Sequence, residues 1–198
     1  LTGWLARYAS RVRDDPFMLP GSPAIADTMR RQDDRLMLCE NAPAVVETLR
    51  AEMRGPGIAV HQRDGYGAWA LLPPAEKRGL VLVDPAFEAR DELDQMLTFA
   101  RQAVGRFAHG IYAFWYPVKS QHSVDRFARR LAQQVGRDVL DARLHIEAPR
   151  DGRMCGCGLA ILNPPWAFAQ ALPDALRALQ AVLAQDRGAA HHIEHHTP

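Results

Sequence analysis

Asp84-Pro85-Ala86-Phe87 carries the most specific chemistry in this sequence. It closes an apolar run, Gly79–Asp84, that reads as a buried strand bounded by turn residues. Such a strand end presents three tools to one ligand: the Asp84 carboxylate, a Pro85 carbonyl aimed by proline's fixed φ, and the face of Phe87. The set suits an exocyclic amine on a flat base. That amine is a poor nucleophile because its lone pair is delocalised into the ring. A carboxylate and a carbonyl, each accepting one N–H, draw the nitrogen toward tetrahedral geometry and free the pair to attack a methyl group. The aromatic ring stacks on the base once the base has left its own helix or loop. In isolation the four residues read equally well as a plain strand-to-loop turn.

Two acidic strand ends precede it. Glu40 closes the run Leu36–Glu40, where a carboxylate accepts hydrogen bonds from ribose hydroxyls, as in dinucleotide folds. Asp64-Gly65 follows a weaker run, Gly57–His61, and is placed to meet the amino group of a bound nucleoside's adenine. Each also reads as a solvated acid or a simple turn. A second string, Asn163-Pro164-Pro165-Trp166, follows the run Cys157–Asn163 and comes closer to the Asp/Asn-Pro-Pro-aromatic pattern of amino-methyltransferases. Chain order favours Asp84, because Glu40 and Asp64 come just before it and the three must serve neighbouring strands. Asn163 is expected to end an outer hairpin strand.

These strand ends need a sheet to hold them. Further apolar runs at Ile111–Tyr116 and Val139–Ile146 complete the set of expected strands. Helical patterns lie between them at Ala44–Met53, Glu88–Phe107, Ser123–Val135 and Trp166–Leu183. The alternation predicts an α/β fold with a mostly parallel sheet. Only Glu147–Met154 separates the last two strands, which predicts an antiparallel hairpin there. Leu1–Asp15 reads as the end of a helix stopped by Asp14, Asp15 and Pro16. Residues 188–198 are histidine-rich, without a core pattern, and are expected to be a disordered tail.

With 198 residues, 47% of them hydrophobic, the chain is long enough for one domain with a real core. A formal charge of +1 does not by itself announce a nucleic-acid partner. Lys77 and Lys119 are the only lysines; the arginine bias fits a GC-rich genome and equally fits phosphate recognition by a planar fork. Cys39, Cys155 and Cys157 sit in or beside apolar runs without disulfide or zinc spacing, as expected of reduced thiols in a cytosolic protein. No membrane span or signal peptide is visible.

Taken together, the strings resemble the RlmJ-type family of large-subunit ribosomal RNA methyltransferases. The matching residues are Pro20-Gly21-Ser22-Pro23, Leu38-Cys39-Glu40, Asp64-Gly65, Gly79 to Pro85, Tyr112 to Pro117 and Ile161 to Trp166, in family order over nearly the whole chain. The resemblance implies a Rossmann-like, S-adenosylmethionine-dependent fold with helices on both faces of the sheet. It implies methylation of an adenine N6 amine in 23S rRNA, adenine 2030 in the family. Carried over by position, Ser22, Glu40, Asp64, Gly65 and Asp84 contact the cofactor, and Asp84, Pro85 and Phe87 form the catalytic turn. No metal is expected, the partner is 23S rRNA, and the setting is cytoplasmic. Two departures stand out. The family's turn is Asp-Pro-Pro-Tyr, so Ala86 restores a backbone N–H and Phe87 lacks a hydroxyl. The family's histidine-rich start and glycine-rich first strand-turn are also missing. The expectation is therefore a partial methyltransferase domain over residues 1–187, lacking its first central strand, with residues 1–15 as the remnant of an inserted helical subdomain.

Lys119, Arg126 and Arg130 lie in a basic region that reads either as an RNA phosphate contact or as a solvated helix face. His191/His195 and His192/His196 have the i,i+4 spacing of metal ligands on a helix, but a disordered tail is the expectation. Two alternatives to the enzyme stay open: a catalytically impaired RNA-binding remnant, and a protein of external DNA catabolism.

Overall fold

The computed structural model describes Ala6, residues 20–150 and residues 152–198. The helix expected over Leu1–Asp15 lies, apart from Ala6, outside the described residues. The chain divides into two compact units, Leu1–Ala68 and Trp69–Pro198.

In the first unit, helix α1 (Ser22–Met29) starts behind Gly21, with Pro23 in its first turn. Strands β1 (Leu36–Glu40) and β2 (Ile58–Gln62) pair in parallel, Leu36 opposite Ile58 and Glu40 opposite Gln62. A parallel pair needs a crossover, and helix α2 (Pro43–Glu52) provides it, burying Val46. Pro43 sits in the first turn, where a missing N–H removes no helical hydrogen bond. A 3-10 segment, Gly65–Leu71, follows β2.

The second unit is built on five strands in the order β3-β4-β6-β5-β7. They are β3 (Leu80–Val83), β4 (Ile111–Val118), β5 (Val139–His145), β6 (Gly156–Leu162) and β7 (Ala190–His196). Helices α3 (Glu92–Arg106), α4 (Gln121–Val135) and α5 (Trp166–Leu183) connect them. The α/β class and the β5–β6 hairpin agree with expectation. The sheet is more antiparallel than expected. β3 and β4 run parallel, but β6 inserts between β4 and β5 antiparallel to both. The short hairpin is the cause: it returns the chain beside β5 before any helix can intervene.

Period-two alternation sends the sheet's side chains to two faces. On one face, Leu140, Ala142, Leu144 and Ile161 pack against Leu172 and Leu176 of α5. On the other, Tyr112, Phe114 and Tyr116 meet α3 and α4, with Phe114 edge-on to Phe99 and Tyr116 edge-on to Phe127. Helices therefore cover both faces. Tyr112 locks β4 to the end of α3, its hydroxyl 2.9 and 2.8 Å from the carbonyls of Ala103 and Phe107. α4 ends at Gly136, whose φ of 62° is the left-handed stop that glycine adopts without strain.

The face under α4 also holds a buried ion network. The Tyr116 hydroxyl donates to Asp141, and Arg143 donates to Asp141 on its own strand and to Asp125 on α4. Gly158 makes room for it: a Cβ there would fall 2.3 Å from the Tyr116 ring. Burial, and after it the charge of Asp141, push the Tyr116 phenol well above its ordinary range.

Residues 190–196 correct the expectation of a disordered tail. They form β7, antiparallel to β5, with Ile193 against the α5 layer and Glu194 opposite Asp141. In a strand, His191/His195 and His192/His196 do not form the helical pairs considered above. Asp141, Glu194 and His196 do bring ligand atoms within 4.8 Å of one another. The Asp141 oxygens, however, already accept from Tyr116 and Arg143, and the guanidinium supplies the positive charge there.

Candidate active site

β1 and β2 place two of the expected acids. Glu40 stands at the carboxyl end of β1 and Asp64 two residues beyond β2, next to Gly65. Each carboxylate is oriented by a backbone N–H two residues on. Glu40 Oε1 accepts from Ala42 N–H at 2.8 Å, and Asp64 Oδ1 accepts from Tyr66 N–H at 2.9 Å. Ala42 is also the residue that caps α2, so the Glu40 carboxylate is tied to the start of that helix. Ser22, exposed, opens α1 and does not belong to either strand end. All four residues are in the first unit.

Asp84, Pro85 and Phe87 are in the second unit, where β3 leaves the sheet. Val83 pairs with Phe114, so Asp84 comes off at the level of Trp115. Phe87 has φ 53°, the left-handed region that aromatic residues rarely adopt. Its ring meets Trp115 edge to face, centroids 5.8 Å apart at 71°. The Asp84 side chain is exposed, yet nearby protein mass desolvates its carboxyl enough to raise its pKa above the ordinary value. Helix α3 starts at Glu92 rather than at the expected Glu88, because the turn through Phe87 uses the intervening residues.

Trp115 and Cys157 join this corner, although in the sequence Trp115 stood only as part of the string Tyr112 to Pro117 and Cys157 only as a reduced thiol, neither with a role at the site. Trp115 lies opposite Leu159 and Cys157 opposite Pro117, on one face of the β4–β6 pair. Burial pushes the Cys157 thiol up, a side-chain hydrogen bond with Trp115 draws it back, and the charge of Asp84 raises it again. The available signal was the alternation Ile111, Ala113, Trp115, which separates the indole from Tyr112, Phe114 and Tyr116.

Asn163 occupies a different position. β6 runs against β4, so Asn163 leaves the sheet beyond the Leu162–Tyr112 pair. About four residues of β4, roughly 13 Å, separate that level from Asp84. The Asn163 amide is also engaged, donating to the carbonyls of Ala108 at 3.0 Å and Gly110 at 2.7 Å. With φ 52° it acts as a clasp on the turn into β4.

Of the basic residues, Lys119 is exposed directly after β4, at the end where Asp84 emerges. Arg126 is exposed on α4. Arg130 pairs with Asp94 of α3 at 2.7 Å. Asp125, the acid among them, points instead into the Arg143 network. No helix among the described residues is long and apolar enough to cross a membrane.

Comparison with known proteins places this geometry in a family. The chain is 35% identical over 167 residues to ribosomal RNA large subunit methyltransferase J of Escherichia coli K12, covering 83% of this chain and 60% of that protein. It is 33% identical over 181 residues to the protein of the same name in Haemophilus influenzae, covering 90% of this chain and 64% of that protein. The chain thus spans less than two thirds of the length of these curated relatives. A solved structure of a Legionella pneumophila protein superposes with a TM-score of 0.83 at 30% identity, over 96% of this chain and 72% of that one. The profile described as "RsmJ: Ribosomal RNA large subunit methyltransferase D, RlmJ" matches residues 12–194, and the chain belongs to that family.

Proposed function

We propose that this chain is part of an enzyme that transfers a methyl group from S-adenosylmethionine to the N6 amine of an adenine in 23S rRNA, adenine 2030 by family resemblance, in the cytoplasm. The observation that carries this reading is the Asp84–Phe87 turn: a carboxylate, a proline carbonyl and an aromatic ring from one short turn where β3 leaves the sheet. The names of the curated relatives support the substrate class.

Glu40 and Asp64 fit a nucleoside-bearing cofactor, since each has one oxygen fixed by a backbone N–H, which orients the carboxylate toward donors such as ribose hydroxyls or an amine. We assign Ser22, Glu40, Asp64, Gly65 and Asp84 to holding S-adenosylmethionine, which when bound supplies an electrophilic methyl on its sulfonium. Asp84 and the Pro85 carbonyl accept the two N–H bonds of the adenine amine, and Phe87 stacks on the ring. Once the nitrogen carries the methyl group, Asp84 is the acceptor for the proton it sheds. The partial desolvation that raises the Asp84 pKa makes it a better acceptor than a free aspartate. Ala86 supplies an N–H where the family has proline, so the turn is less constrained by its own covalent structure. We assign Lys119 and Arg126 to contacts with rRNA phosphates, and Arg130 with them, though it shares its charge with Asp94.

The test is transfer of labelled methyl from S-adenosylmethionine to 23S rRNA lacking the mark, using the longest chain the gene encodes. Asp84→Asn is expected to lower transfer by about 100-fold or more. Transfer that survives Asp84→Asn unchanged removes the catalytic assignment.

A further inference from the structure

We propose that Trp115 is a positioning residue for the target base: its indole holds Phe87 edge to face in the left-handed turn, so that Phe87 offers a fixed face to a purine beside Asp84. The proposal rests on the reading of Asp84–Phe87 as the base-binding turn.

Phe87 at φ 53° sits in a backbone region that disfavours an aromatic residue. Such a conformation persists where surrounding contacts over-determine it. The Trp115 contact is of that kind, with 5.8 Å and 71° inside the range of favourable edge-to-face pairs. The two partners differ in rigidity. Trp115 belongs to β4, held between β3 and β6 with Leu159 directly opposite, whereas Phe87 belongs to the turn between β3 and α3. The rigid strand therefore sets the orientation of the turn. Whichever ring supplies the edge, at least one face of Phe87 stays clear of the indole, and Phe87 is only partly buried. Ala86 gives the contact a further purpose. Without a proline ring ahead of Phe87, the turn lacks a covalent restraint, and Trp115 supplies a tertiary one.

Binding of 2-aminopurine riboside, read by fluorescence quenching, tests this with Phe87→Leu, Trp115→Leu, Trp115→Phe and the Phe87→Leu/Trp115→Leu double variant. Trp115→Leu is expected to weaken binding about 3- to 10-fold. Trp115→Phe restores it to within about twofold, because an aromatic edge remains. In the Phe87→Leu background Trp115→Leu adds nothing, since Trp115 acts through Phe87. Unchanged binding in Trp115→Leu, or effects that multiply in the double variant, overturns the proposal. If the unsubstituted chain does not quench the probe, the base-binding reading fails on its own account. Positioning is then decided by the Phe87 ring resonances of phenylalanine-labelled protein. Loss of their ring-current shift in Trp115→Leu upholds it, and unchanged resonances overturn it. Trp115→Met, whose unbranched flexible side chain adapts better to the space, replaces Leu if that variant fails to fold.

Discussion

Replacing Arg143 with methionine keeps an unbranched apolar stem and removes the charge. The Arg143 side chain is 2% exposed and that of Asp141 0%, so neither charge reaches water in the folded unit. The guanidinium donates to Asp141 Oδ2 at 2.9 Å and to the Tyr116 hydroxyl at 3.2 Å, with further short contacts to Asp141 and Asp125. In Arg143→Met, Asp141 keeps the Tyr116 hydroxyl and His196 Nε2 at 3.5 Å, but loses its resident cation. An uncompensated buried carboxylate costs about 3–5 kcal/mol. Asp125, whose side chain is 32% exposed, turns to solvent and adds little. For a unit of this size that corresponds to a fall in Tm of roughly 12–20 °C. Urea unfolding followed by tryptophan fluorescence reads the change, at low and high salt. A buried pair is screened weakly, so the loss should be nearly the same in both. Removing both charges, in Asp141→Leu/Arg143→Met, should recover at least half of it. A loss below about 1 kcal/mol in Arg143→Met, or one that disappears in high salt, refutes the buried-network reasoning.

Partial desolvation raises the Asp84 pKa, so methyl transfer should fall as pH drops through a value above that of a free aspartate, and Asp84→Asn should abolish that acid limb in the pH–rate profile. Asn163→Gly keeps the left-handed backbone but loses both carbonyl contacts, and should destabilise by about 1–3 kcal/mol; Asn163→Ala adds backbone strain and should cost more, as measured by thermal melting. His145 is buried with Nε2 unpartnered, and burial first, then His192 and Arg143, lower its pKa. Its neutral form is the one the fold accommodates. Its contribution is complete above the unfolded value of about 6.5 and is lost as pH falls toward the lower folded value. His145→Leu should flatten the corresponding decline in Tm, and an unchanged slope counts against the assignment.

The parts of this fold set by local pattern were legible in the sequence. Leu36–Glu40 is a short apolar run between polar segments, and Trp166–Leu183 repeats at helical spacing behind two prolines; both elements have those bounds. The strand-end acids Glu40 and Asp64 could be named because strand ends are visible in sequence. Pairing order was not legible. The run that becomes β6 has the same composition whether it joins the sheet at an edge or enters between β4 and β5. β7 was missed because Ile193, its one large apolar residue, gives no pattern, and its anchors include polar partners such as Gln180 and Asp141 besides the β5 backbone. Phe87 could be named as the aromatic two residues after Pro85, but its left-handed backbone and its contact with Trp115 arise from tertiary packing.

The insertion of β6 also bears on the order in which the sheet is assembled. β4 and β5 point the same way and are joined by α4, so a folding chain that has formed only these elements holds two parallel strands and a crossover helix with nothing yet between them. Direct pairing of β4 with β5 obeys every local rule for such a unit. It would also close the slot that β6 must enter. The order in which β6 arrives therefore decides the order of strands in the finished sheet. Late arrival would enrich a compact isomer with β6 left outside, an edge strand open to other chains.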